Sequence, residues 1–521
     1  MPGRNWLWIA GVVLLPLLSP AQDPRAGETM IRTSSRLVEV SVIVRGKDGT
    51  VKDLRKDDFL LTDRGKPRDI SVFSVESGYA GPGRGELLPH NTFSNRAKSD
   101  LSSVTVILLD GLNTRFENQA YARRQLMRFL MQADPQDRIA LYTLGRSLRV
   151  LCDFDHPDEL RHILGGYGGS VTTDFTAAAP APSDTGSDIL DQFINESNQT
   201  LAIRTNLDRA SITIDAFVSI ASHLAQLPGR KNVVWVTGSL PFSVAGAARA
   251  LNRADIGLYP VDARGLVGLP DQLTASGGGL RTGRATISFS PEGLDTLQQL
   301  ADLTGGRAFY NTNDLSSAIR TAVQDAVFTY SLGFYPDPDS LDGQFHELKV
   351  QVRRPGLDVR YRRGYFAVKD SPTSEKVNAV NLATALWSPL QSSMIGLEAR
   401  IQRSDRPLPN SLDIQWSIDV SSLHLVRQGD LWKASINAFF LQQDAAGREL
   451  DKAQEAFDIR LTQETYEAYL RSGIAFHRLV EAKGRLVTLR ILVIDRGDGR
   501  VGSLVIPAAD VKKLSSAQPR F

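Results

Sequence analysis

A single cysteine, Cys152, stands in 521 residues, so no disulfide can form within the chain and no cysteine-rich zinc site can be assembled. An excess of one charge is equally lacking. Lys and Arg number 60 against 58 Asp and Glu, a formal net charge of +2, which gives no electrostatic footprint for nucleic acid or an anionic membrane. Beyond the N-terminus no uncharged run approaches the roughly 20 residues of a spanning helix. The seven histidines never form His-Glu-x-x-His, and His156 and His162 are spaced off one helical face. No Gly-x-Ser-x-Gly elbow, phosphate loop or dinucleotide fingerprint occurs. An enzyme would therefore need a centre assembled from residues distant in sequence.

Hydrophobic side chains make up 42% of the chain and charged ones 23%, the balance of a folded protein rather than a disordered one. The length points to about three domains, each able to bury a core. At the N-terminus Arg4 precedes an apolar run, residues 6–18, that ends in Ser19-Pro20-Ala21. This reads as a cleaved signal peptide over residues 1–21, too short for an anchor. Export to the periplasm or the exterior is expected, with no stable membrane span after cleavage and with large cores in place of disulfides.

Residues 31–77 alternate apolar and polar side chains between Gly and Asp turns, as half-buried antiparallel strands do. Residues 78–100 are rich in Gly, Pro, Ser and Asn and read as a linker. The texture changes at residues 104–109, Val-Thr-Val-Ile-Leu-Leu, a continuous apolar run of the kind buried on both faces. Further runs at 138–144, 232–237 and 256–261, a final strand at 307–310, and amphipathic segments at 120–131, 203–226, 245–252 and 291–304 alternate over residues 101–327. That order predicts a doubly wound, mostly parallel α/β sheet. The stretch from Gly165 to about Gln199 is a long irregular loop. Residues 328–368 return to strands, and so does a β-rich domain at 378–515. A small sheet is marginal alone, so the strands of 31–77 and 328–368 are expected to share one β-sandwich, with the α/β domain inserted between its halves.

In a doubly wound sheet, ligands bind beyond the carboxyl ends of the strands. The residue directly after the first buried strand is Asp110, in Leu109-Asp110-Gly111-Leu112-Asn113-Thr114. Together with Asp57-Asp58-Phe59, Pro228-Gly229-Arg230-Lys231-Asn232, Val261-Asp262-Ala263-Arg264-Gly265 and Tyr361-Arg362-Arg363-Gly364-Tyr365-Phe366, this segment resembles the von Willebrand factor type A domain, and more narrowly a secreted acidobacterial subgroup related to it. The resemblance covers about residues 31–368.

The resemblance implies a metal-ion-dependent adhesion site. Asp110 keeps the first ligand, Leu112 occupies the first serine place and Thr114 keeps the second hydroxyl. The middle-helix threonine falls on Ser211 or Thr213. The usual Thr-Asp-Gly reads Thr237-Gly238-Ser239, so the second aspartate is absent. Magnesium or another divalent cation would be held by Asp110, Thr114 and Ser211, an acidic side chain of the partner completing the shell. Asp110, Asn113, Thr237 and Ser239 are the expected partner contacts, walled by the 165–199 loop. A helix cap or turn former is the structural alternative for Asp110, and an ion pair is the alternative for Asp262 and Arg264.

The expectation is thus an exported, non-enzymatic interaction or adhesion protein with a degenerate metal site, in which Asp110→Ala removes partner capture without unfolding the domain. A protein partner is expected, and nucleic acid is not. Two alternatives remain open: a metal-independent scaffold that binds through its β domains, by edge-strand pairing, and an uncharacterised hydrolase. Asp337, Asp339 and Asp342 depart from a calcium loop and read as a solvated turn. Arg496-Gly497-Asp498 reads as turn chemistry between two strands.

Overall fold

The computed structural model describes residues 37–77, 88–96, 103–155, 157–166, 188–238, 245–264, 291–312, 314–368, 374–404 and 410–511. The expected signal segment, residues 167–187 of the expected loop, and Ser239 lie outside the described residues.

Two antiparallel sheets are built from both sides of the central region. In one, Val38–Gly46 lies between Asp358–Arg360 and Phe328–Phe334, and Val72–Ser77 follows Phe328–Phe334. In the other, Phe345–Val352 lies between Gly364–Phe366 and Phe59–Asp63. Their alternating apolar residues meet in one core that includes Val40, Val42, Phe59, Leu61, Tyr330, Leu332, Leu348 and Val350. Strands with one wet face need such a partner layer, because each sheet alone buries too little apolar area.

Between these halves lies a five-stranded sheet in the order Ile256–Asp262, Lys231–Thr237, Val104–Asp110, Ile139–Leu144, Leu148–Asp155. The first three neighbouring pairs are parallel and the last is antiparallel. Helices cover both faces: α1 (Phe116–Leu130), α2 (Pro157–Gly166), α3 (Asp188–Leu224), α4 (Ala245–Arg253), α5 (Pro291–Thr304) and α6 (Leu315–Val327). One face packs Phe217, Leu251 and Leu300 of α3, α4 and α5 on Trp235 and Leu258. The other packs Leu126, Leu160 and Ile319 of α1, α2 and α6 on Ile107 and Val234. Double coverage accounts for the unbroken apolar runs.

The C-terminal region is a second pair of antiparallel sheets. Ser411–Ile418 lies between Leu397–Ser404 and Ile474–Glu481, and Leu431–Gln443 between Glu449–Leu461 and Thr488–Asp495. Trp416 stacks on Phe476 at 4.4 Å in their shared core. A helix, α7 (Glu375–Trp387), sets Leu386 against Leu441 and Leu492, and α8 (Gln463–Ser472) follows later in the chain. The region is stitched to the rest: Thr92–Ser94 pairs with Leu397–Ser404, and Leu390 enters the core of the central sheet.

The expected fold class needs correction. Among the described residues strand makes up 41% and helix 30%, and of the five sheets they form four contain antiparallel pairs alone, while the fifth is mixed. The molecule is β-rich, with antiparallel and mixed sheets, and a doubly wound parallel α/β class does not describe it. The physical reason is local. Continuous apolar runs mark the strands of one sheet only, and the period-two strands before and after it outnumber them.

Candidate functional site

Asp110 ends the central strand Val104–Asp110 and is 2% exposed. Its Oδ1 accepts from the Asn113 amide at 2.9 Å, and its Oδ2 accepts from Asn113 Nδ2 at 2.8 Å, Trp235 Nε1 at 2.9 Å and Thr237 Oγ1 at 2.9 Å. Burial raises its carboxyl above the usual range, and those four donors pull it back. Asn113 passes the network outward, with its Nδ2 also donating to Thr213 Oγ1 at 3.0 Å and its Oδ1 accepting from Arg209 Nε at 3.0 Å. Thr114 Oγ1 accepts from the Gly238 amide at 2.9 Å. Asn113, Thr114, Thr213 and Thr237 are all buried.

The structure therefore gathers Asp110, Asn113, Thr114 and Thr237, but as an interior tie between the end of one strand, the end of the next and α3. Ser211 is not part of it. It is exposed on α3, and the residue that reaches the network is Thr213, two positions on. The cavity next to Asp110 measures about 50 Å³, room for a water or two and not for a partner's carboxylate. Nor does the arrangement fit magnesium. A hard cation needs several free oxygens, whereas both oxygens of Asp110 already accept from donors and Asn113 points an amide group inward. Among the described residues no carboxylate or histidine hydrogen-bonds Asp110, and none form a cluster able to hold a metal. The expected partner contacts Asp110, Asn113 and Thr237 are corrected accordingly: burial has turned them into scaffold.

Two of the motif segments shared with the resemblance, Pro228–Asn232 and Tyr361–Phe366, meet at a polar joint between the central sheet and the first sandwich. Arg230 Nη2 donates to Gly305 O at 2.6 Å, and Arg362 Nη1 to Asn252 O at 3.0 Å. Asp325, fully buried, accepts from Arg45 at 2.5 Å, Arg360 at 2.7 Å and the Tyr259 hydroxyl at 3.0 Å. Asp255 accepts from Ser41 Oγ at 2.6 Å. Burial opposes its charge, but Lys231, Arg362 and Arg230 outweigh that and hold its carboxyl below the usual range. Asp262 and Arg264 form a two-pronged ion pair at 2.9 and 2.6 Å, a scaffold contact.

Beside this joint lies a cleft of about 940 Å³, within the usual size of a ligand site. One wall is the extended segment 306–310 and the other is Asp358–Arg360 with Tyr361 and Arg363, while α5 and α6 contribute Asp302, Asp314 and Thr321. The walls converge on Gly305, whose φ of 73° and whose missing Cβ let the chains touch: a Cβ there would sit 2.6 Å from the Arg362 amide. Arg363 ties the same corner, its amide reaching Asp302 O at 3.1 Å and its guanidinium the Asp302 carboxylate at 2.7 Å. The sequence marked the Tyr361 run through the resemblance and residues 307–310 as a strand, of which only Phe309 pairs, in an isolated bridge with Val261. Nothing local showed that the two would face each other.

No family model matches the sequence, and no curated protein does. Among solved structures, an aerotolerance-related membrane protein from Bacteroides fragilis, carrying multiple mutations to serine, is 16% identical, covering 43% of this chain and 98% of its own, with a TM-score of 0.24. A von Willebrand factor type A protein from Catenulispora acidiphila is 8% identical, covering 60% of this chain and 79% of its own, with a TM-score of 0.23. Both likenesses are weak and carry no argument about the site. Among the described residues no helix is long and apolar enough to cross a membrane.

Proposed function

We propose that this chain is an exported, non-enzymatic protein-binding protein that uses no metal and receives its partner in the cleft between residues 306–310 and 358–363. The observation that carries the reading is the contrast between two concavities: the Asp110 crevice is filled by its own hydrogen bonds, while the cleft is open and edged by exposed Arg307, Tyr310 and Arg363. Export rests on the N-terminal run. The likeness of Pro228–Asn232 and Tyr361–Phe366 to the secreted acidobacterial proteins of von Willebrand type A character fits an adhesive role, since those segments build the joint that holds the cleft walls. Of the two alternatives, binding through β elements is the one this reading continues. The hydrolase reading loses ground because the acids of the cleft are engaged: Asp302 with Arg363, Asp358 with Arg360, and Asp314 with Ser317.

The test is affinity capture from the source organism's own surface extract, with the mature chain, Arg307→Glu, and Tyr310→Ala combined with Tyr361→Ala as baits, in magnesium and in chelator. Capture by the wild type in both buffers and its loss with both cleft variants is the expected result. Equal capture by the cleft variants, or capture abolished by chelator, overturns the proposal.

A further inference from the structure

One wall of the cleft is a strand edge, Asp358–Arg360, and the other is the segment 306–310, which joins the central sheet through a single parallel bridge between Phe309 and Val261. Phe309 pairs on its inner side only, its amide donating to Pro260 O at 2.8 Å and its carbonyl accepting from the Asp262 amide at 2.9 Å. In an extended chain successive residues aim their backbone groups to opposite sides, so Ala308 and Tyr310 turn theirs toward the cleft. Across from them, Asp358–Arg360 is the end strand of its sheet, paired with Val38–Gly46 and, among the described residues, with no strand beyond. Neither edge is free to drift. The 306–310 segment is held at Gly305 by Arg230 and the opposite wall by Arg360 on buried Asp325, so the geometry is set before any partner arrives.

Charge narrows the occupant. The three aspartates of the lining are each engaged within the protein, and so are Arg360 and Arg363. Arg307 is different: it is exposed, lies 5.4 Å from the Phe309 ring, and among the described residues has no carboxylate in ion-pairing range. Of the other lining side chains, Tyr310 is exposed and Tyr361 is half-buried, packed on the core of the first sandwich, and both carry an aromatic face and a hydroxyl.

Resting on the partner-binding reading, we infer that the cleft takes an extended peptide segment that adds as a strand beside Ala308 and Tyr310 and sets an acidic side chain against Arg307. Main-chain hydrogen bonds supply the register-independent part of such binding, and the Arg307 contact with the tyrosines supplies the selection.

The experiment is to pan random dodecapeptides displayed on phage against the mature full-length chain, then to titrate the enriched peptides made synthetically. Enrichment of sequences with Asp or Glu among alternating residues is expected. Their affinity should fall about tenfold or more on Arg307→Glu, with Arg307→Gln between the two. It should fall similarly when backbone nitrogens of one alternate set are methylated, while methylation of the other set has little effect. The inference is overturned by absence of enrichment, by affinity indifferent to Arg307→Glu, or by equal tolerance of methylation at both sets, which would indicate capture by side chains alone. Arg307 is exposed, so folding is not at stake, and circular dichroism of both variants checks this. If extract capture depends on the cleft while the peptides ignore Arg307, strand addition fails and the partner-binding reading stands. If extract capture ignores the cleft, both fall.

Discussion

A carboxylate that accepts four hydrogen bonds in the interior is held there by its donors, and its removal strands them. Asp110 is such a residue. Replacing it with alanine would leave the Trp235 indole, the Thr237 hydroxyl and both nitrogens of Asn113 without their acceptor, and would leave Arg209, drawn toward that charge, partly buried without it. Leaving a buried donor without its acceptor costs about 1–3 kcal/mol. Asp110→Ala is therefore expected to lower the stability of the central sheet by that order in urea unfolding, with any loss of binding following from unfolding. A variant of unchanged stability would contradict the hub role. The chemical type of the residue was legible in the sequence: an acid directly after a buried strand, with an amide and a hydroxyl close behind. Its exposure was not, because the groups that seal it, Trp235, Thr237 and Thr213, arrive from positions more than 100 residues away.

Elements show the same division. The later part of helix α3 was legible as an amphipathic segment at 203–226, whereas its first turns, from Asp188, fall where an irregular loop was expected, and its last turn does something that spacing does not encode. His223 Nδ1 lies 2.8 Å from Gln391 O, its Nε2 lies 3.3 Å from Asp153, and its ring stacks on Phe154. Ser393 Oγ donates to the His223 carbonyl at 2.8 Å, so the helix end is bound to the segment leading into the C-terminal sheets. Burial disfavours the charged ring, but the hydrogen bond and charge of Asp153 and the Gln391 carbonyl prevail, and the pKa is held above its ordinary 6.5. A raised folded-state value means that the folded chain binds the proton more tightly than the unfolded one. The stabilisation is fully present below pH 6.5 and is lost as the pH rises through the raised value. The difference in Tm between wild type and His223→Gln should accordingly be larger at pH 6 than at pH 9. A difference that is constant or grows with pH would refute the assignment. Other elements escaped sequence reasoning for plain reasons. Helix α6 keeps Leu315, Ala318, Ile319, Ala322 and Val323 on one buried face, but small residues make that stripe faint. Helix α7 follows a polar stretch and is apolar nearly all round, with only Leu386 buried, so periodicity gives no signal.

At the scale of the molecule, the first sandwich is a folding problem in itself, since its halves are separated by the whole central region. Val40 pairs with Leu332 and Val350 with Leu61, and neither half has a core without the other. Deleting residues 38–77 should expose 328–366 to limited proteolysis at protease levels that leave the full chain intact. Resistance of that segment in the deletion variant would show that the pairing is dispensable. The joint extends this dependence, because Asp325 at the end of α6 answers arginines from both halves of the sandwich.

The features legible in the sequence alone are local: which runs are covered on one face or both, where many of the turns fall, the single thiol, the near-balance of charge and the apolar N-terminal run. Each depends on side chains within a few residues of one another, where period and propensity act. Only folding decided that antiparallel pairing dominates among the described residues, that the Asp110 constellation lies inside, and that the distant segments 306–310 and 358–363 face each other across a cleft. Those outcomes depend on which surfaces meet. A side chain's chemistry is written in its own position, but its access to solvent is set by residues that only folding brings beside it.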